Sequence, residues 1–219
     1  MPQCVRRFSS VWFLILISFL GALAQLPTSA DVMRDRIKKT KVLIAVKNYN
    51  AAIYELEGIR KETGDPAVNS VAQVMLMNCY LEQSDYKRAQ ALLVELYNAK
   101  KQNRFGGDNY YAVAGQVVRG AKIQAERYKS LGLSVADANL PPDAVNDVNK
   151  MRETVETVIT QSKILGANAK ETPSAMALLE EATAARSNLA RDNYDAKRWK
   201  DEVADARDNL VNSKGVIDA

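Results

Sequence analysis

The chain repeats one short pattern at an interval of 37 residues. In each copy a polar residue precedes a tyrosine, and an alanine follows three positions later: Tyr49 with Ala52, and Tyr86 with Ala89. The small alanine lets two antiparallel helices approach closely, while the tyrosine packs across the turn that joins them. One such hairpin cannot bury its apolar face alone, so neighbours must stack on it. The repeat therefore predicts an all-α protein built from antiparallel helical hairpins.

Caps and helix breakers divide the chain into helical segments. Only 10 Gly and 6 Pro interrupt the 219 residues, which favours long helices. Asp65-Pro66 and Thr172-Pro173 each place a capping residue before a proline at the first helical position, and Leu140-Pro141-Pro142 forces a break. We predict helices over residues 31–46, 49–63, 67–83, 86–102, 109–130, 143–165, 173–191 and 194–212. The last four form a C-terminal helical region, residues 105–219, which is a further hairpin or bundle with a break near 131–142.

The two copies, within residues 25–104, resemble the tetratricopeptide repeat (TPR) family over about residues 32–102. That family has Gly-Asp/Asn-Tyr between its helices, Ala three residues after the Tyr, and apolar residues four and seven positions further on. Both copies are degenerate, since Thr40 and Met77 stand where the family usually has Gly or Ala, and the period is 37 rather than 34. The resemblance implies a superhelical array of TPR-like hairpins. The residues that it assigns to packing within the repeats are Leu43, Tyr49, Ala52, Leu56 and Ile59 in the first copy and Leu76, Tyr80, Tyr86, Ala89, Leu93 and Leu96 in the second.

The resemblance also implies a concave groove, lined by the first helix of each repeat, in which a peptide or a partner helix binds. The positions carried over to this chain are Arg34, Lys38 and Lys41 in the first copy and Val74, Met75, Asn78, Leu81 and Glu82 in the second. The first set is basic and suits a carboxylate or another anion, although a lysine cluster is also typical of a solvated face. The second set is largely apolar. It either forms an open partner site or packs against the C-terminal helices.

The N-terminus has the pattern of a secretory signal peptide over residues 1–24. Arg6 and Arg7 precede an apolar stretch that begins at Val11, and Ala22-Leu23-Ala24 supplies small residues for cleavage. The apolar stretch is shorter than the ~20 residues of a membrane span. We therefore expect an exported protein, periplasmic or secreted, without a membrane span after cleavage. Its 28 basic and 26 acidic residues leave a balance of +2, which does not indicate nucleic-acid binding.

The sequence lacks several residue combinations on which common enzyme and metal sites depend. The chain has no histidine, which excludes the Ser-His-Asp triad and the commonest metal ligand. Cys79 is the single cysteine after residue 24, so zinc sites built on several Cys or His residues are excluded as well. No phosphate-binding glycine loop is present. We expect no catalytic residues, no metal and no cofactor.

Three hypotheses about function remain. The first is a non-catalytic scaffold or adaptor of the cell envelope that binds another protein or a peptide through the TPR-like surface. The second is a chaperone-like carrier that shields an apolar segment in the groove. The third, which the sequence favours least, is a hydrolase that uses carboxylates such as Glu180 and Glu181. The partner, the pathway and the oligomeric state do not follow from the sequence.

Overall fold

The computed structural model describes residues 29–102 and 107–215, and in this part of the chain it contains helices and no strands. The predicted signal peptide lies outside the described residues. Within residues 29–102 and 107–215, eight α-helices follow one another, so the prediction of an all-α fold is confirmed. They are α1 (Ser29–Ala45), α2 (Tyr49–Glu62), α3 (Pro66–Glu82), α4 (Tyr86–Lys101), α5 (Tyr110–Ser130), α6 (Pro142–Gly166), α7 (Thr172–Asn188) and α8 (Asn193–Gly215), with a short 3-10 helix at Gly107–Asn109. None of the helices described has the length and the apolar character that a membrane span requires.

The α1–α2 and α3–α4 turns have the same backbone geometry. Lys47 and Ser84 both adopt a left-handed conformation, with φ of 59° and 54°. The next residues, Asn48 and Asp85, each donate their backbone N–H to a carbonyl five positions earlier, at 2.8 Å in both turns. Their side chains then accept a hydrogen bond from the backbone N–H three positions ahead, at the start of the second helix. The sequence repeat is therefore also a repeat of turn structure.

The hairpins stack in two layers along the chain. The first helices of the hairpins, α1, α3, α5 and α7, pack in succession against one another, and α2, α4, α6 and α8 follow as their second helices. The contacts of α5 with α3, and of α6 with α4, join the C-terminal helices directly to the repeats. The buried apolar residues consequently form one continuous core from α1 to α8. The C-terminal region thus continues the stacking of hairpins that the repeats begin.

The residues that the TPR resemblance assigns to packing line this core. Nine of them are buried, namely Ala52, Leu56, Ile59, Leu76, Tyr80, Tyr86, Ala89, Leu93 and Leu96. The other two, Leu43 and Tyr49, are partly buried and pack against the core. The α7–α8 turn is different, because Tyr194 follows its polar residues as Tyr86 does but remains 82% exposed. Its hairpin is therefore held by other contacts.

Two buried arginines secure the C-terminal hairpins. Arg152 of α6 donates hydrogen bonds to the backbone carbonyls of Leu189 and Val135. Leu189 lies in the connection between α7 and α8, and Val135 lies in the connection between α5 and α6. Arg186 of α7 is 1% exposed and bonds to carboxylates from α6 and α8, as described below. Because a guanidinium has five donors, one side chain can fix several segments at once.

Candidate binding groove

A chain of depressions runs over the surface formed by the first helices of the first three hairpins. The central depression has a volume of about 390 Å³ and lies between α1, α3 and α5. A second, of about 330 Å³, lies between α1 and the N-terminal half of α3 and shares Lys41 with the first. A third, of about 120 Å³, extends inward from the central one between α3, α5 and α6. We call the first two the groove and the third the inner pocket.

The structure places all eight predicted groove residues on these depressions. Lys41, Val74, Met75, Asn78 and Glu82 line the central one, and Arg34 and Lys38 join Lys41 in the second. Leu81 lies in the inner pocket, which also borders Asn78 and Glu82. Val74, Met75 and Leu81 are partly buried and pack against the core, while the depression above Val74 and Met75 remains. The C-terminal helices therefore form a wall of the groove and leave it open.

Besides α1 and α3, the groove has a third wall, which is formed by α5 and was not predicted from the sequence. Gln116, Arg119 and Ile123 of α5 face the central depression opposite Lys41 and Ile44 of α1. Their spacing of three and four residues places them on one face of a helix, and this was the available signal. A polar stripe with a single isoleucine is also typical of a solvated face, so its role follows only from the packing of α5 on α3.

Several charges of the groove are already paired. Lys38 donates to Asp35 at 2.8 Å, and the hydrogen bond to this carboxylate raises the pKa of Lys38. Arg127 donates from one nitrogen to both carboxylate oxygens of Glu82, at 2.8 and 3.0 Å. Among the described residues, Lys41 and Arg119 have no ion-pair partner, and both are exposed. The central depression thus has partly buried apolar side chains between two cations that are free to bind an external carboxylate.

The inner pocket contains a polar cluster that connects three helices. Tyr86 of α4 donates from its hydroxyl to one carboxylate oxygen of Asp147, at 2.9 Å, and Gln124 of α5 donates from its amide to the other. Burial raises the pKa of Tyr86, and the neighbouring Asp147 raises it further. The phenol therefore stays protonated and remains a donor to the carboxylate over the physiological pH range.

Comparison of the chain with protein-family models, with curated proteins and with solved structures finds no match. The TPR resemblance therefore stays a resemblance of residues and spacing.

Proposed function

We propose that this protein is a non-catalytic adaptor of the cell envelope that binds a partner protein through the groove between α1, α3 and α5. The observation that carries the proposal is the central depression, where Val74 and Met75 lie between the unpaired cations Lys41 and Arg119. Partly buried apolar surface supplies binding energy, and flanking charges supply orientation and selectivity. The signal-peptide pattern of residues 1–24 supports an exported location.

The packing of the groove also favours a binding surface. Its walls are helices held by a common core, so little conformational entropy is lost when a partner segment docks. The three helices present side chains from separate hairpins to one space of about 390 Å³. An extended or helical segment of another protein fits such a surface, because it contacts several hairpins in succession.

Site-specific photo-crosslinking tests the proposal. A photoreactive amino acid replaces Asn78 or Gln116 in the groove, and in matched controls it replaces Lys61 or Val94, which are exposed on α2 and α4. In envelope extracts we expect one protein to be crosslinked from both groove positions and from neither control position. Equal crosslinking from all four positions, or none from the groove, would refute the adaptor proposal.

The same experiment separates the adaptor from the carrier hypothesis. A carrier shields apolar segments of many proteins, so its groove positions would crosslink a broad mixture. A dye that fluoresces on apolar surface would also bind the native protein and be displaced by unrelated apolar peptides. If one partner is crosslinked, and its crosslinking is not reduced by unrelated apolar peptides, the adaptor hypothesis is favoured.

A further inference from the structure

The inner pocket contains a buried acceptor that has no donor. Gln124 is only 7% exposed and lines the pocket, and its amide nitrogen is fixed by the bond to Asp147. Its Oε1 is buried and has no hydrogen-bond partner in the part of the chain that the structure describes. A buried polar atom without a partner costs about 1–3 kcal/mol, so such an atom is normally satisfied by water or by a ligand. The pocket thus requires a donor at this point.

Asp147 adds a negative charge beside this acceptor. Its two hydrogen bonds come from a phenol and an amide, which are both neutral. Within the described ranges 29–102 and 107–215, no Lys or Arg forms a salt bridge with Asp147. The carboxylate keeps unused lone pairs after both bonds, because an ionised carboxylate can accept about four. The pocket lining therefore combines a carboxylate that has no ion-pair partner among the described residues with a free amide acceptor.

Part of the pocket lining is apolar. Leu81, Ile123 and Met151 line it together with Gly120. The absence of a side chain at Gly120 makes room, since a Cβ there would lie 3.0 Å from Leu81 Cδ1 and 3.6 Å from Met151 Cε. The volume of about 120 Å³ exceeds the roughly 10–15 Å³ that one water needs. The pocket therefore accepts a group of several heavy atoms with an apolar stem.

We propose that the inner pocket binds a primary alkylammonium group. Its methylene stem lies along Leu81, Ile123 and Met151, and its nitrogen donates to Asp147 and to Gln124 Oε1. An ammonium has three donors and no acceptor, which matches the two acceptors available here, the Asp147 carboxylate and Gln124 Oε1. The larger planar guanidinium requires a broader, bidentate arrangement of acceptors. The inference deepens the proposed function, because a lysine side chain of the groove's partner reaches the pocket past Asn78 and Glu82, which border both spaces.

The rim of the pocket favours a lysine within a peptide over a free amine. Arg119 and Arg127 line the pocket and are exposed, which places them on its solvent side; Arg127 is paired with Glu82, whereas Arg119 has no ion-pair partner among the described residues. An unpaired cation at the entrance weakens the binding of a bare ammonium and attracts a carboxylate next to it. We therefore expect a lysine with an acidic neighbour to bind more tightly than a simple amine.

Titration followed by amide NMR spectra tests the proposal on the purified protein. The probes are n-butylammonium chloride, 1-butanol as a neutral molecule of equal heavy-atom count, and sodium chloride at matched ionic strength. We expect butylammonium alone to shift amide signals of α5 near Gly120 and of α6 near Asp147, with saturation. An equal response to butanol, or no saturable response, would overturn the proposal and leave a water-filled pocket.

Two variants locate the site. Asp147→Asn removes the charge and keeps the shape, and we expect it to weaken butylammonium binding at least tenfold. Gln124→Met removes both the free acceptor and the amide bond to Asp147 at similar volume. We expect a several-fold loss of binding, which tests the site even if the first variant does not fold. Unchanged binding in a folded variant of either kind would contradict the proposal.

Blocked lysine amide and blocked norleucine amide distinguish a peptide lysine from a free amine as the source of the group. The outcome is independent of the crosslinking test. If butylammonium binds but no partner is crosslinked, the ammonium site stands and the adaptor proposal is rejected. If a partner is crosslinked but butylammonium does not bind, only the ammonium site is rejected.

Discussion

The two left-handed turn residues lead to a prediction about stability. Lys47 and Ser84 have φ of 59° and 54°, a conformation that costs a residue with a Cβ roughly 1–2 kcal/mol. Glycine avoids this cost, but it also adds conformational entropy to the unfolded chain. That entropy offsets about 0.5–1 kcal/mol of the stability gained. We therefore expect Lys47→Gly and Ser84→Gly each to raise the free energy of unfolding by about 0.5–1 kcal/mol. The double variant should gain about 1–2 kcal/mol if the two sites are independent.

Urea unfolding and differential scanning calorimetry measure this gain. For a chain of this size, 1 kcal/mol corresponds to roughly 2–4 °C in the melting temperature. Lys47→Ala is the first control, since it keeps the Cβ and should gain nothing. Ala91→Gly is the second, because Ala91 is exposed in α4 and glycine there should cost about 1 kcal/mol. If the two turn variants lose stability as Ala91→Gly does, the assigned backbone conformation is wrong.

Three further predictions concern packing and charge. Gly107→Ala should destabilise the protein by about 1–3 kcal/mol, because its Cβ would clash with the backbone of α4 at Lys100. Gly115→Ala should be neutral or stabilising by about 1 kcal/mol, because its Cβ would meet no atom within 4 Å outside its own helix backbone and chain neighbours. Urea unfolding compares the two variants. Asp195→Asn should cost about 1–3 kcal/mol at neutral pH, since the buried Arg186 then keeps only Glu156 at 2.6 Å as a charged partner. Burial alone would raise the pKa of Asp195, but hydrogen bonds from the backbone of the α7–α8 turn and from Arg186 outweigh it, so the pKa is lowered in the folded protein. The stability that Asp195 contributes is therefore fully present above its pKa in the unfolded chain, about 3.9. It is lost as the pH falls towards the lower pKa of Asp195 in the folded protein. Unfolding followed from pH 7 to pH 3 should show this loss, and an equal loss in Asp195→Asn would assign it to other groups.

Local signals in the sequence predict the helices of this fold closely. The Asp65-Pro66 pair predicts the start of α3, and in the structure the Asp65 carboxylate caps the amides of Ala67 and Val68. Such caps and breakers act within a few residues, so they can be recognised without tertiary information. The predicted groove positions on α1 and α3 likewise border one surface, because a helical period places them on one face.

The contributions of α5 and of the buried arginines are not local. Arg119 becomes a groove residue only because α5 packs beside α3, and no residue pattern in α5 specifies that neighbour. Arginine is usually exposed to solvent. Arg152 and Arg186 are nevertheless buried, because carbonyls and carboxylates from distant parts of the chain surround their guanidinium groups. Interactions between residues far apart in the chain decide these positions, and local residue patterns do not reveal such interactions.

The packing of α5 and α6 on the repeats has a consequence for any attempt to isolate them. Asn109 donates to the carbonyl of Ser70 at 2.9 Å, and Gln90 donates to Thr154 at 3.0 Å, so polar contacts accompany the shared core. A fragment of residues 25–104 would expose the faces of α3 and α4 that these helices cover, and it would also lose a wall of the groove. Because a helical array gains stability from each interface between neighbouring hairpins, we expect this fragment to be unfolded or aggregated at 25 °C. Circular dichroism and analytical ultracentrifugation test this, with the longer fragment 25–169, which retains α5 and α6, as the matched control. A monomeric, cooperatively unfolding fragment 25–104 would show that the first two hairpins are an independent domain and that α5 contributes to the groove without contributing to their stability.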